Sequence, residues 1–418
     1  MFSKVFNINY NRNLYILLLL VILFQLTALK YILGISYLSR LINGSLFIIL
    51  LYSSMKAVFT GKYHRRIWLL YIFPGIFISF GILFNIILNS LDGRQVFSFL
   101  GEIMPWLVYL SVPYWMNKFH YPLKQLWYIF YVFMFLASLI GVCDYFLTFS
   151  GLNYLHHVMT SGGPFVSSLF CLYYQLQDGS LHGRLYSVFL EPGTFAMYLL
   201  PAMAYAFFYK RYFSLMLFIL AMFLTRSLGG LIGGILLLIS LGLWQSGSKK
   251  KFVVVGILLL LFLGWIGGAG NYLQRQYYHR VKSRTDRIFA LEQGFLDLPK
   301  MIQIQPFGAK LYGSTAEQKE NNEFYTGYTF TPMNNFRFGG VFALLGYCLV
   351  FFVSLGVLVS SRNRDSLSLE DRTVLSSIFP LFSFVIQRTC LWDSAIFALL
   401  FAPVVLKLLI NARQASRK

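Results

Sequence analysis

The residue types best suited to chemistry lie in one short run of the sequence, from Arg184 to Ala196. Arg184 and Glu191 are seven positions apart, and Pro192 follows the glutamate, as is typical of the first turn of a helix. An arginine there could neutralise an anion, and the glutamate could orient that arginine or accept a proton from a hydroxyl group. The structural alternative is that Glu191 only starts the next helix, near its positive dipole end, while Arg184 anchors to lipid headgroups.

A second candidate is Arg226, which lies between two apolar segments joined by almost no loop. The surrounding run is Thr225-Arg226-Ser227-Leu228-Gly229-Gly230. Glycines let membrane helices approach closely, so we expect a tight helix junction at this arginine. Arg226 could instead extend along its aliphatic stem to lipid headgroups, and the residues alone do not separate the two interpretations.

Three further arginines, Arg280, Arg284 and Arg287, follow the i, i+4, i+7 spacing that places side chains on one face of a helix. Guanidinium groups bind phosphate oxygens in a bidentate way, so such a stripe is suited to a diphosphate. A basic helix lying on lipid headgroups is the structural alternative.

Aromatic and amide side chains near these arginines are candidates for contacts with sugars. Tyr277 and Tyr278 could stack on sugar rings, and Asn335 precedes a late apolar segment. The sequence contains no Walker loop, no HExxH zinc motif and no DxD-type pair for a nucleotide-sugar metal site. We therefore predict neither a metal nor a cofactor.

The elements that must position these residues are apolar segments. The chain is 57% hydrophobic and only 12% charged, about half the charged share of a typical soluble domain. Segments of roughly 17–25 apolar residues recur, each long enough to cross the bilayer. We predict an all-α fold with about twelve transmembrane helices in a single integral membrane domain, residues 1–418. The predicted spans are 13–34, 37–58, 67–89, 95–117, 123–149, 192–209, 212–226, 228–246, 252–270, 337–360, 374–389 and 394–411.

Clusters of lysine and arginine in the short loops predict the orientation. They fall on one side of the membrane if the number of spans is even, which places both termini in the cytoplasm. Two large loops, 150–191 and 271–336, then lie on the extracytoplasmic face. The net charge of +20 is scattered between apolar spans, so we attribute it to the lipid bilayer surface rather than to nucleic acid.

The chain resembles the repeat-unit polymerases of bacterial O-antigen and capsular polysaccharide (the Wzy type), which are related to the O-antigen ligases. The resemblance rests on three features: the Arg184…Glu191-Pro192-Gly193 run, the junction from Thr225 to Gly230, and a large outer loop. That loop contains Gln305-Pro306-Phe307-Gly308 and ends in asparagine before a late span.

This resemblance implies a membrane glycosyltransferase on the outer face of the bacterial inner membrane. It would transfer a glycan from undecaprenyl diphosphate to another lipid-linked repeat unit, without a metal because the leaving diphosphate is already acidic. A chain-length regulator is a possible protein partner beside the undecaprenyl-diphosphate-linked oligosaccharide. The implied roles are leaving-group stabilisation by Arg184 and Arg284, support from Arg226, Arg280 and Arg287, and positioning by Glu191.

Other functions remain open. As the resemblance has it, ligases carry a histidine shortly before the late span, and the matching run Thr331-Pro332-Met333-Asn334-Asn335 has none, which favours a polymerase. A flippase or transporter of lipid-linked sugars would have a similar number of spans, but transporters usually show two related halves and none is detectable here. A non-catalytic scaffold protein of the cell envelope is the third alternative.

Overall fold

A computed structural model describes residues 16–24, 36–60, 68–88, 93–118, 121–152, 155–160, 163–168, 171–176, 178–181, 183–244, 296, 298–308, 331–361, 367–384 and 394–415. These residues are mostly helical. The helices are α1 (Ser36–Thr60), α2 (Phe73–Leu88), α3 (Gly93–Lys118), α4 (Leu123–Phe149), α5 (Pro192–Phe208), α6 (Tyr212–Thr225), α7 (Leu228–Trp244), α8 (Thr331–Ser360), α9 (Leu369–Leu381) and α10 (Ala395–Ala415). Residues 16–24 and 298–304 are also helical, and a π-helical turn, Trp68–Ile72, precedes α2.

The helices coincide with the apolar segments predicted from the sequence, usually to within a few residues. Three stretches of the described chain are long and apolar enough to cross a membrane: Trp68–Leu88, Leu123–Phe149 and Asn335–Ser360. Others are shorter, such as the 14-residue α6, whose length of about 21 Å falls below the thickness of the hydrocarbon core. The predicted span 252–270 lies outside the described residues.

A small antiparallel sheet interrupts the otherwise helical architecture, and the prediction of an all-α fold did not include it. Its strands are β1 (His156–Thr160), β2 (Gly163–Ser167) and β3 (Leu172–Tyr174), in the order β1-β2-β3. The pairing of β1 with β2 runs from His156 with Ser167 to Thr160 with Gly163. The sheet belongs to the segment 150–191, which the sequence analysis describes only as a loop.

Helix α5 lies at the centre of the helical body. Apart from the partly exposed Thr194, every residue from Pro192 to Ala206 is buried. The helix packs against α4, α6, α7 and α9. At its first turn, Phe195 stacks on Phe189 with ring centroids 5.3 Å apart. This burial fixes the position of the chain that enters α5, which is the run that carries Arg184 and Glu191.

Helix α8 is broken near its start, and we call residues 337–341 the α8 break. Gly339 and Gly340 have non-helical backbone angles, with φ at +62° for Gly340. The buried Asn85 of α2 donates its Nδ2 protons to the carbonyls of Arg337 (3.2 Å) and Phe338 (2.9 Å). A neutral amide thus satisfies the carbonyl groups at the break.

Candidate functional site: an arginine junction beside helix α5

The turn between α6 and α7 is built around Arg226, which ends α6 in the left-handed conformation (φ 49°, ψ 32°). This conformation usually requires glycine and costs other residues about 1–3 kcal/mol. Its backbone N–H donates to the carbonyl of Phe223 (3.0 Å), as expected for a helix C-cap. Among the described residues, Ser187 and Lys210 are the other non-glycine residues with a positive φ, and such strained positions are candidates for function.

Polar side chains on either side of Arg226 close the two helix ends. The Thr225 hydroxyl donates to the Met222 carbonyl (2.7 Å) and accepts the backbone N–H of Ser227 (3.2 Å). The Ser227 hydroxyl accepts the backbone N–H of Gly230 (3.3 Å), as a helix N-cap does. Gly230 leaves room for α5, since a Cβ there would lie 2.7 Å from the Cβ of Ala196. The close approach predicted from the glycines is therefore present at Gly230.

Arg184 docks onto this turn from a distant part of the sequence. Its Nε donates to the carbonyl of Thr225 (2.9 Å), and its Nη2 makes a longer contact with the carbonyl of Arg226 (3.4 Å). The backbone N–H of Leu185 donates to the carbonyl of Leu224 (2.9 Å). We call this assembly, residues 183–185 with 224–227, the arginine junction.

The side chain of Arg226 lies against Gly183, the residue before Arg184. Its Nη1 lies 3.3 Å from the position that a Cβ on Gly183 would occupy, so the guanidinium group rests on the backbone beside Arg184. Arg226 is exposed and Arg184 is partly exposed. Two guanidinium groups separated by 42 positions in sequence are thus brought to one surface.

We call residues 183–191, the segment that carries Arg184, the arginine loop. Helix α4 contacts this loop through several side chains. Ser187 is buried with φ at +54°, and its hydroxyl donates to the carbonyl of Ala137 (2.7 Å). A Cβ at Gly141 would lie 2.9 Å from the Ser187 side chain, so glycine allows this approach. The Tyr145 hydroxyl reaches the carbonyl of Gly183 at 3.5 Å.

The sheet holds the arginine loop from the other side. The backbone N–H of Leu172 donates to the carbonyl of Ser187 (3.0 Å). Tyr186 is buried in a small core with Val158, Phe165 and Leu172, one from each strand. Burial raises the pKa of Tyr186, and the positive charge of Arg184 opposes that rise. Arg184 therefore lies close enough to affect the ionisation of the Tyr186 hydroxyl.

Glu191 is exposed and lies at the N-cap of α5 with an extended backbone. Its side chain makes no capping hydrogen bond, while Pro192 occupies the first helical turn as predicted. Glu191 therefore starts the helix, as the structural alternative expects, but without a side-chain capping hydrogen bond. The carboxylate remains close to the positive end of the α5 dipole.

The other predicted site residues fall into two groups. Arg280, Arg284, Arg287, Tyr277 and Tyr278 lie outside the described residues. Asn335 is buried at the start of α8, a helix that packs mainly against α2.

The turn at Pro306 and Gly308 also packs on the start of α8. The backbone N–H of Val341 donates to the Pro306 carbonyl (2.8 Å). A Cβ at Gly308 would lie 2.5 Å from Nδ2 of Asn85 and 3.0 Å from the carbonyl oxygen of Arg337. The Gln305–Gly308 run and the start of the late span α8, which the resemblance links to one outer loop, are therefore neighbours.

A polar cluster behind the arginine loop was not identified as part of the site from the sequence. Tyr173 of β3 donates its hydroxyl proton to Oδ2 of Asp144, near the C-terminal end of α4. Asp144 attracts notice in the sequence only as an isolated carboxylate near the end of an apolar segment. Its partner could not be found that way, because the sheet that brings Tyr173 to it was not predicted.

Taken together, these contacts hold two positive charges at a partly exposed helix junction. Such an arrangement suits an oxyanion or phosphate group, because guanidinium groups present several donors in a fixed plane. Within the described residues, no group of three or more histidine, cysteine or acidic side chains could hold a metal ion.

No model of a protein family matches the chain, and no curated protein matches it significantly.

Proposed function

We propose that this protein is a membrane glycosyltransferase that polymerises polyprenyl-diphosphate-linked oligosaccharide repeat units. The observation that carries the proposal is the arginine junction. Arg184 and Arg226 meet there although 42 positions separate them, and Arg226 keeps a backbone conformation that glycine would adopt at lower cost. Arg184 also binds the last carbonyls of α6, and the proposal adds to this structural role the binding of an anion by the two guanidinium groups.

The chemistry follows from the leaving group. When the glycan leaves its lipid carrier, negative charge develops on the diphosphate, and fixed positive charges stabilise that change most in the transition state. Arg184 and Arg226 supply this stabilisation in the proposal. Glu191, exposed seven residues along the same loop, positions the acceptor hydroxyl or takes up its proton. Arg280, Arg284 and Arg287 add further diphosphate contacts.

The proposal also includes the arrangement in the membrane. About twelve spans place both termini in the cytoplasm and the segments 150–191 and 271–336 on the outer face of a bacterial inner membrane. The candidate spans and the shorter apolar helices support a membrane location. The arginine junction then lies at the outer surface, where lipid-linked glycans would be joined.

One observation favours a transporter as a second candidate, namely the α8 break. Broken helices often line ion and substrate sites in transporters, where freed carbonyls bind the ion. Here Asn85 occupies the carbonyls of Arg337 and Phe338. The break also lies within the first turns of the candidate span Asn335–Ser360, away from its middle. The α8 break therefore lacks free carbonyls at Arg337 and Phe338 and a position in the middle of the span, and both features count against a transport site there.

The test is extension of lipid-linked repeat units by the purified protein in proteoliposomes. A ladder of longer glycans on the lipid supports a polymerase, and movement across the bilayer without extension supports a flippase. If the protein neither extends nor moves the lipid-linked glycan, a scaffold role is supported. Arg184→Ala should abolish the ladder. The matched control is Arg211→Ala, because Arg211 is also exposed but lies at the opposite end of α6. Equal ladders from both variants would reject the site.

A further inference from the structure

A chain of contacts connects the C-terminal end of α4 to the arginine loop through strand β3. Tyr173 donates to the Asp144 carboxylate and also lies within hydrogen-bonding reach of Thr148. The thiol of Cys171, just before β3, is within hydrogen-bonding reach of Asp144 and Ser187. From there, the N–H of Leu172 bonds the carbonyl of Ser187 in the arginine loop.

Burial keeps the two side chains that contact Asp144 in their protonated forms. Tyr173 and Cys171 are fully buried, whereas Asp144 is partly exposed. Burial and then the bond to Asp144 raise the pKa of the Tyr173 hydroxyl well above its usual range, so it stays a proton donor. Burial and the Asp144 charge likewise raise the pKa of the Cys171 thiol. A single carboxylate therefore faces two protonated groups on the segment that leads into the arginine loop.

The arginine loop needs such support because its conformation is strained. Ser187 has a positive φ, which costs residues other than glycine about 1–2 kcal/mol. Strained backbone persists only where the surroundings fix it. Two of those fixing contacts, from Cys171 and Leu172, come from the segment that Asp144 holds.

We infer that Asp144 is a positioning residue, which anchors β3 through Tyr173 and so holds Arg184 in place at the arginine junction. The inference rests on the proposed function for its catalytic consequence. The anchor itself is a separate structural claim, and Cys171 offers a way to measure it independently of any activity.

The experiment uses the full-length protein with Cys143, Cys348 and Cys390 changed to serine, so that Cys171 is the only thiol. Alkylation of Cys171 by iodoacetamide is followed by mass spectrometry. Asp144→Ala and Tyr173→Phe should each speed the labelling roughly tenfold or more, the effect of losing a hydrogen bond to a charged group. Tyr173→Phe retains the carboxylate, so its effect cannot come from a change in the charge near the thiol.

Two comparisons guard against a general loss of structure. Asp144→Asn keeps a hydrogen-bond acceptor and should fall between the wild type and Asp144→Ala. Asp178→Asn changes an exposed carboxylate in the same segment, where Oδ1 of Asp178 accepts hydrogen bonds from the backbone N–H and the hydroxyl of Ser180. Labelling in this control should match the wild type, with helical content equal in all variants.

The catalytic part is read from glycan extension by the same variants, per mole of folded protein. The kcat should fall in the same rank order as the labelling rises, with little change in KM, because Arg184 acts on the leaving group. Unchanged labelling in both Asp144→Ala and Tyr173→Phe would overturn the anchor. Faster labelling with unchanged kcat would overturn the positioning role. If Arg184→Ala also extends glycans normally, the proposed function fails while the labelling still decides the anchor.

Discussion

Helical structure is interrupted in two regions of this protein, and each interruption leaves backbone carbonyl groups that need hydrogen-bond donors. The two regions satisfy these carbonyls differently. At the α8 break, two glycines take the irregular backbone and the neutral amide of Asn85 binds the freed carbonyls. At the arginine junction, a non-glycine residue takes the left-handed position and a guanidinium group binds the carbonyls of Thr225 and Arg226.

The difference separates a structural device from a functional one. An amide and glycines satisfy a broken helix at low cost, so the α8 break shows what a purely structural solution looks like in this chain. The arginine junction instead holds two positive charges, one of which also binds the carbonyls of Thr225 and Arg226 at the end of α6. Positive charge beside a strained backbone position is what the proposed anion site would use.

The largest effect that we predict is on Arg184. Replacement by alanine should lower glycan extension by about 10²–10³-fold, the loss typical of removing one group that stabilises transition-state charge. Lysine should not restore activity, because a point charge cannot reproduce the planar fork that spans two carbonyls. The measurement is the rate of ladder formation in proteoliposomes at equal protein levels. Activity of the lysine variant near that of the wild type would contradict a specific guanidinium role.

The α8 break should respond in stability rather than in activity. Gly340→Ala would force a side chain into a left-handed position and within 2.3 Å of the Pro306 carbonyl oxygen. We expect a loss of about 3 kcal/mol, combining backbone strain with overpacking. Gly356→Ala on the same helix is the control, since a Cβ there meets nothing within 4 Å. Thermal unfolding in detergent should separate the two, and equal unfolding temperatures would contradict the packing.

Asn85→Leu should have a smaller effect of the same kind. It keeps a similar volume but leaves the carbonyls of Arg337 and Phe338 without the amide, which costs about 1–3 kcal/mol. Extension per folded molecule should be unchanged, because the contacts of this amide with Arg337 and Phe338 support the backbone of the α8 break. Loss of activity in fully folded Asn85→Leu protein would instead place the α8 break in the functional site.

Arg226→Gly should show the smallest change in stability and the clearest separation from activity. Glycine removes the left-handed strain but adds backbone entropy in the unfolded state, so the net change in unfolding free energy should stay within about 1 kcal/mol. Glycan extension should still fall by roughly tenfold, since one of two charges is lost. A variant with full activity would show that Arg226 only ends α6.

The sequence predicts the helices well because each apolar segment ends at charged residues, glycine, proline or serine. The start of α9 is an exception, because the predicted span begins at 374 whereas the helix begins at Leu369, directly after the capping box of Ser368 and Asp371. The sheet was missed although Ser161-Gly162 lies between two short runs rich in β-branched and aromatic residues. The sequence analysis describes that segment only as a loop, because it lacks the long apolar runs that mark the predicted spans.

The site was only partly predictable for a different reason. Arg184 and Arg226 are each recognisable as charges at the edge of apolar segments, but no periodicity relates positions so far apart. Their contact depends on a turn in the left-handed conformation and on a loop held by Ser187. The role of Asp144 depends in turn on the unpredicted sheet. Local patterns identify candidate residues, whereas tertiary packing decides which of them meet.

The proposed function depends most directly on binding of a lipid diphosphate at the arginine junction. Native mass spectrometry of the purified protein with added undecaprenyl diphosphate measures this without any requirement for turnover. We predict a bound lipid on the wild type and on Arg211→Ala, and its loss from the double variant Arg184→Ala, Arg226→Ala. Equal occupancy on all three proteins would contradict the central claim.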